Sequence, residues 1–207
     1  MKLVLGTHNQ KKRIELADLL RPYDLQVVSL AEVDSPLSVV EDGDSFAENA
    51  ANKASQQAIH LGLWTIGEDS GLCVDALQGA PGIYSARYAG PEATDDANID
   101  KLIEALQGVP REKRSAHYVS HICLADPQGE VRVACEARCH GRLRDRRFGT
   151  GGFGYDPLFE IPELHRTFGE LQGAAKSVLS HRARAMRRFI PQLLATLKTA
   201  EVGAGGA

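Results

Sequence analysis

At 207 residues, with 43 % hydrophobic and 25 % charged side chains, the chain has the composition of a globular protein with one substantial core or two lobes sharing a sheet. No apolar run approaches the ~18 residues of a membrane span, and the apolar part of MKLVLGTHN is too short for a secretory leader. A formal net charge of −3 lacks the basic excess of a general nucleic-acid binder. The expectation is a cytoplasmic protein that engages neither membrane nor nucleic acid.

KLVLG reads as a short buried strand, followed by a helix from Asn9 to Leu20 whose apolar Ile14, Ala17 and Leu20 share a side. A strand, a tight turn and a helix N-terminus in that order favour an anion, because the first amides of a helix lack intrahelical partners. GTHNQKK is not a Walker A loop, since the spaced glycine and the Lys-Ser/Thr pair are missing. Its lysine is therefore either a phosphate ligand or an ordinary solvated helix residue.

A second strand, roughly Leu25 to Leu30, leads into VVEDGDSFAEN. There Ser45 and Glu48 have the spacing of a capping box, predicting a helix that runs to about Leu61. Asn49 and Lys53 are i,i+4 neighbours on it and face one way. LWTIG is a strand that should end on Glu68-Asp69-Ser70-Gly71, a place where carboxylates either cap a turn or hold a hard cation. Glu41, Asp42 and Asp44 form another acidic group, which unaided reads as a solvated turn.

GAPGIYSARYAG is turn-rich, and a helix near Asp95 to Leu106 precedes two strands, Ala116 to Ala125 and Glu130 to His140, joined by DPQG in a long antiparallel hairpin. Cys73, Cys123, Cys135 and Cys139 lack zinc-site spacing and read as buried thiols. RRFGTGGFGYDPLFE packs four glycines into positions 149–154, matches no phosphate fingerprint, and suits a backbone that turns sharply close to a ligand. The last helix carries an apolar stripe of Leu179, Ala183, Met186, Ile190, Leu193 and Leu197, with Pro191 expected to kink or restart it. Strands alternating with helices, plus a hairpin, give an α/β class with a mixed sheet. The expected organisation is one two-lobed domain over 1–200 and a disordered tail over 201–207.

Five segments in this order, Thr7-x-Asn9-x-x-Lys12, SFAENAANKA, EDSGLCVDALQGAPGIYSARYAG, GTGGFGYDPLF, and Lys176 followed by SHR, resemble the Ham1-type inosine/xanthosine triphosphate pyrophosphatases. The resemblance spans Leu3 to about Pro191. It implies a long mixed sheet with helices forming two lobes around a nucleotide cleft, a homodimer, and Mg²⁺-dependent cleavage of ITP, dITP or XTP to the monophosphate and pyrophosphate. It further implies that Thr7, His8, Asn9, Gln10, Lys11 and Lys12 line the phosphates with Lys53 in support, and that Glu41 and Asp69 bind metal. Asp69 is also the implied proton acceptor, with Glu68 the alternative base if Asp69 ligates the metal, and Ser70 belongs to the substrate shell. Phe153, with Gly154 and Tyr155 beside it, is implied to stack on the base, while Asp156, Lys176, Ser180, His181 and Arg182 read its edge or hold the sugar. His8, Glu68 and Ala175 depart from the family's usual residues, Glu68 standing where aspartate is common.

Two other readings compete. A nucleotide sensor would keep Lys12 and Phe153 but has no need of Glu41 and Asp69. A nucleic-acid binder would use SHRARAMRR, which the acidic total disfavours.

Overall fold

A computed structural model describes residues 2–171 and 173–204. Seven strands form one mixed sheet in the order β2-β1-β3-β4-β5-β6-β7. They are β1 (Lys2–Leu5), β2 (Gln26–Ser29), β3 (Trp64–Val74), β4 (Ser115–Ala125), β5 (Val131–Leu143), β6 (Phe159–Ile161) and β7 (Arg166–Thr167). β1 pairs in parallel with β2 and β3, whereas β5 with β6 and β6 with β7 are antiparallel. The helices are α1 (Gln10–Leu20), α2 (Phe46–Leu61), α3 (Asp95–Ala105), α4 (Gly173–Leu179) and α5 (His181–Ala204). The chain divides into two compact units, one of residues 1–69, 120–137 and 182–207 and one of 70–119 and 138–181.

The first unit is held by Leu3, Leu5, Leu16, Leu20 and Ile66 packed against Phe189, Ile190 and Leu193 of α5. Ala183, Met186, Ile190, Leu193 and Leu197 are buried, as the stripe predicts. Pro191 lies inside α5, which continues through it and does not restart there; the break between α4 and α5 falls at Ser180. α5 also runs on to Ala204, so residues 201–204 of the expected tail are helical, and 205–207 lie outside the described residues. The second unit buries Leu72, Ile99, Leu102, Tyr118, Tyr155, Phe159 and Phe168 around one cluster.

Two local expectations are corrected. β3 does not end at Glu68 but runs on to Val74, because Gly71 to Val74 continue the buried strand and Leu72 and Val74 fill the core. At α2, the Ser45 hydroxyl accepts from Glu48 N, but the Glu48 carboxylate turns to Asp44 N at 2.7 Å and not to Ser45 N, so only half of the capping box forms. The cysteines are free thiols; Cys123, Cys135 and Cys139 are buried, and burial pushes the Cys123 thiol up to about 12.

Candidate active site

Gly67 lets β3 and α2 come together, since a Cβ there would stand 2.1 Å from the Ala50 carbonyl oxygen and 2.6 Å from Ala54 N. With only small residues at this crossing, Asn49 and Lys53, one turn apart on α2, both reach the β3 residue Asp69. Lys53 Nζ lies 2.9 Å from Asp69 Oδ1 and 2.9 Å from Glu41 Oε1, and Asn49 Nδ2 donates to Asp69 Oδ2 at 3.4 Å. Asn49 Oδ1 in turn accepts from Gly43 N at 2.9 Å, which ties the acidic connection to α2.

α1 supplies the second cation. Asn9 is its N-cap, its side-chain oxygen accepting from Lys11 N and Lys12 N, and Thr7 Oγ1 accepts from Asn9 N. Lys12, one turn into the helix, places Nζ 3.0 Å from Glu68 Oε2 and 4.0 Å from Asp69 Oδ1. The buried Glu68 also receives Ser120 Oγ at 2.9 Å and Arg182 Nη2 at 3.2 Å, and Arg182 Nη1 pairs with Glu15 of α1. Lys12, Lys53 and Arg182 thus face Glu15, Glu41, Glu68 and Asp69, leaving one formal negative charge in excess if all are ionised. Burial pushes the Asp69 carboxyl up, only partly offset by the Lys12 and Lys53 ammoniums. For Lys53, burial is outweighed by Asp69 and Glu41, which hold its ammonium above the usual range. A cavity of about 560 Å³ opens beside this helix start, bordered by Thr7, His8, Gln10, Arg13 and Glu32.

The second unit builds a separate group on the glycine-rich segment. Gly152 has φ +74, and a Cβ on it would lie 2.0 Å from Asp156 Oδ2. That open space lets the Asp156 carboxylate fold back to accept from Phe153 N at 2.9 Å while Lys176 Nζ donates to the same oxygen at 2.6 Å. Lys176 Nζ also sits 4.2 Å from the centroid of the Phe153 ring, a cation–π contact that occupies one face of it. His181 is buried and stacks on Tyr118, with centroids 4.6 Å apart and planes at 13°.

A model of the Ham1 family matches residues 3–192. A Rhodopirellula baltica protein named dITP/XTP pyrophosphatase is 54 % identical over 192 residues, 93 % of this chain and 92 % of its own. The chain belongs to the Ham1 family. A Desulforamulus reducens relative of the same name is 47 % identical, with 91 % of this chain and 93 % of its own covered. Among solved structures, a Ham1 protein from Coxiella burnetii superposes with a TM-score of 0.85 at 35 % identity, over 95 % of this chain and 98 % of its own. One from Mycobacterium abscessus, described as a nucleoside-triphosphatase and dITP/XTP pyrophosphatase, gives 0.74 at 39 % identity over 91 % and 97 %.

The residues expected from the Ham1 resemblance sort into three groups. Lys12, Lys53, Glu41 and Asp69 are brought together in the first unit, with Thr7 and Asn9 at the adjoining helix start; His8, Gln10 and Lys11 are exposed there, His8 Nε2 lying 3.0 Å from the Leu37 carbonyl oxygen. Phe153, Asp156 and Lys176 are brought together in the second, Gly154 follows Phe153, and Ser180 is buried beside His181. Ser70 follows Asp69 on β3, partly buried.

Tyr155, Asp156 and Arg182 are buried and held by the protein's own groups. Tyr155 is a core residue whose hydroxyl donates to the Ser85 carbonyl at 2.8 Å. Asp156 is 2 % exposed and braces Phe153 and Lys176. Arg182 is 1 % exposed and committed to Glu15 and Glu68. The sequence reading missed Ser120, Glu15 and Tyr118 as partners, and no local spacing signals them. Asn49 was visible in its i,i+4 relation to Lys53.

Proposed function

We propose that the chain hydrolyses non-canonical purine nucleoside triphosphates, dITP, XTP and ITP, to the monophosphate and pyrophosphate, and so cleanses the nucleotide pool. The observation that carries this reading is the Asp69 cluster, a buried carboxylate held by two ammoniums in a Ham1 chain whose relatives bear the name dITP/XTP pyrophosphatase. A sensor that only binds has no use for such a carboxylate.

A triphosphate repels an incoming water until its charge is offset. Lys12 and Lys53 supply positive charge, and the first turn of α1 adds its dipole. Thr7, His8 and Gln10 border the neighbouring cavity, which has room for the outer phosphates. Asp69 accepts a proton from water as its oxygen bonds to the α-phosphorus; the bond from that phosphorus to the bridging oxygen breaks, and pyrophosphate leaves with the electron pair.

Hard oxygen donors and one excess negative charge fit a divalent cation. Among the described residues no group of three or more His, Cys, Asp or Glu could hold a metal ion. Mg²⁺ is commonly held by only one or two carboxylates together with substrate phosphates. Glu41 and Asp69 would hold it. Such an ion, when bound, polarises phosphoryl oxygens and offsets their charge. Lys12 next to Glu68 and Lys53 between Glu41 and Asp69 keep these carboxylates paired before substrate arrives.

The base belongs to Phe153, whose ring is braced by Lys176 Nζ 4.2 Å from its centroid. Lys176 and His181 donate toward a 6-oxo group, where adenine would present a donor of its own and leave the protein's donor unpaired. The resemblance also makes a homodimer the expected assembly, to be measured by sedimentation, and work on the nucleotide pool implies a cytoplasmic place. Among the described residues no helix is long and apolar enough to cross a membrane.

The test is incubation with dITP, XTP, GTP and ATP in Mg²⁺ and identification of the products. Pyrophosphate from dITP and XTP in preference to GTP and ATP supports the reading. No turnover of any of them sinks it, and orthophosphate as the first product would make the protein a phosphatase.

A further inference from the structure

The glycine-rich segment is gripped at both ends by one helix. Gly154 N donates to Asp95 Oδ2 at 3.0 Å, and Asp95 is the first residue of α3. Seven residues earlier, Arg147 Nη1 lies 2.8 Å from Asp100 Oδ1, and its Nη2 donates to the Asp96 carbonyl oxygen at 3.1 Å. Asp95, Asp96 and Asp100, on the first two turns of α3, therefore hold residues 147 and 154, and Phe153 lies just inside the grip.

α3 is a firm base for this. The buried Asn98 side chain accepts from Ala89 N at 2.7 Å and donates to the Ala86 carbonyl at 3.1 Å, while Ile99 and Leu102 are in the core. Thr94 caps the helix by accepting from Ala97 N, so Asp95 is not needed for capping and its carboxylate is directed to the loop. The Arg147 pairs are exposed and contribute little by themselves. A carboxylate on a backbone amide is the stronger contact. Phe153 N already goes to Asp156, so the amides of both Phe153 and Gly154 end on carboxylates, from opposite sides of the chain in sequence. A glycine-rich backbone has many conformations to choose from, and two successive amides fixed in this way set the direction in which the Phe153 side chain leaves the backbone.

We propose that Asp95 is a positioning residue for base recognition: through Gly154 N it fixes the direction of the Phe153 ring and so sets the affinity for the purine. This role rests on the assignment of Phe153 to the base given above. It places a determinant of purine affinity on α3, outside the residues that hold the phosphates.

The experiment is a double-substitution cycle of Asp95→Ala and Phe153→Ala with dITP as substrate, together with amide hydrogen exchange at Gly154. Asp95→Ala is expected to raise KM about five- to tenfold, the loss of one charge-assisted hydrogen bond, with kcat within about twofold. Asp95→Asn keeps an acceptor oxygen and should restore KM to within about twofold. In the Phe153→Ala background, Asp95→Ala should have no further effect on KM, and Gly154 should exchange faster in Asp95→Ala than in the unaltered chain. Additive KM effects in the double variant, failure of Asn to rescue, or unchanged exchange at Gly154 would each overturn the role. Faster exchange with unchanged KM overturns it while leaving the pyrophosphatase reading intact. No turnover of dITP by the unaltered chain overturns that reading and this role with it.

Discussion

Asp69→Asn separates catalysis from binding and from folding at one atom. The substitution is nearly isosteric, so Asn49 and Lys53 keep a side chain of the same shape opposite them, and Lys53 retains Glu41 at 2.9 Å. Two opposing effects act on stability. An ionised pair at 2.9 Å attracts by about 5 kcal/mol at an effective dielectric near 20, and that attraction is lost. Against it, burial pushes the Asp69 carboxyl up. A carboxyl raised above its unfolded value stabilises the fold below the unfolded pKa and loses that contribution as pH rises through the folded one. Asn stays neutral throughout, so the variant escapes this loss at pH 7, and the net change in stability should be within about 2 kcal/mol.

Turnover is expected to respond on another scale. Loss of a positioned general base lowers the rate by about 10² to 10⁴, or roughly 3 to 5 kcal/mol of barrier. Measured without Mg²⁺, for which Asp69 is also a proposed ligand, dITP binding should be unchanged or tighter, because a negative charge beside the phosphates is removed. The assay is pyrophosphate release from dITP in Mg²⁺, with calorimetric titration of dITP into the variant and urea unfolding of both proteins. A variant that keeps more than about a tenth of the turnover, or that loses binding in step with turnover, refutes Asp69 as the base.

Lys53→Met should leave Glu41 and Asp69 facing one another without their shared cation and cost about 3 to 5 kcal/mol in EDTA. Mg²⁺ should raise the unfolding midpoint of this variant more than that of the unaltered chain, and a midpoint insensitive to Mg²⁺ would remove Glu41 and Asp69 as its ligands. Gly152→Ala puts a Cβ 2.0 Å from Asp156 Oδ2 at a φ of +74, so Asp156 must release Phe153 N and Lys176. KM for dITP should rise at least about tenfold with a stability loss of about 1 to 3 kcal/mol, and an unchanged KM would contradict the brace. Away from the site, Asp126 closes the β4–β5 turn, accepting from Gln128 N, Glu130 N and Arg132 Nε. Although burial works to raise its pKa, the Arg132 guanidinium and the two amides hold it below the usual value. Its contribution is therefore present above the unfolded pKa and lost as pH falls through the folded one. Asp126→Ala should cost about 1 to 3 kcal/mol at pH 7, and the gap in urea midpoints should narrow toward pH 3; a gap independent of pH would assign the loss to packing.

The phosphate-side residues were legible in the sequence because their signals are local. Asn9 caps the expected helix and Lys12 stands one turn further on, although the buried side of that helix is Leu16 and Leu20 and the predicted Ile14 is exposed. Asn49 and Lys53 meet Asp69 because a spacing of four puts them on one face of α2. The glycine spacing at 149–154 marked a close approach, though the group that approaches Gly152 proved to be the protein's own Asp156. The strand was misread where local signals mislead: Asp69-Ser70-Gly71 has the composition of a turn, yet β3 runs through it with Leu72 and Val74 buried in the next cluster.

Arg182 shows why the remainder stayed hidden. As the third member of a Ser-His-Arg group at a helix start it has every local mark of a ligand-reading cation. Its side chain is decided instead by Glu15, 167 positions away, and by Glu68. Burial alone would work against its charge, but those two carboxylates keep the guanidinium above its usual pKa. A cation buried among paired acids is costly to extract, and Arg182 pairs with Glu68 next to Asp69. Glu68 likewise takes Ser120, Lys12 and Arg182 as partners, while Asp69 faces Lys53 and Asn49, the arrangement on which its proposed role as proton acceptor rests.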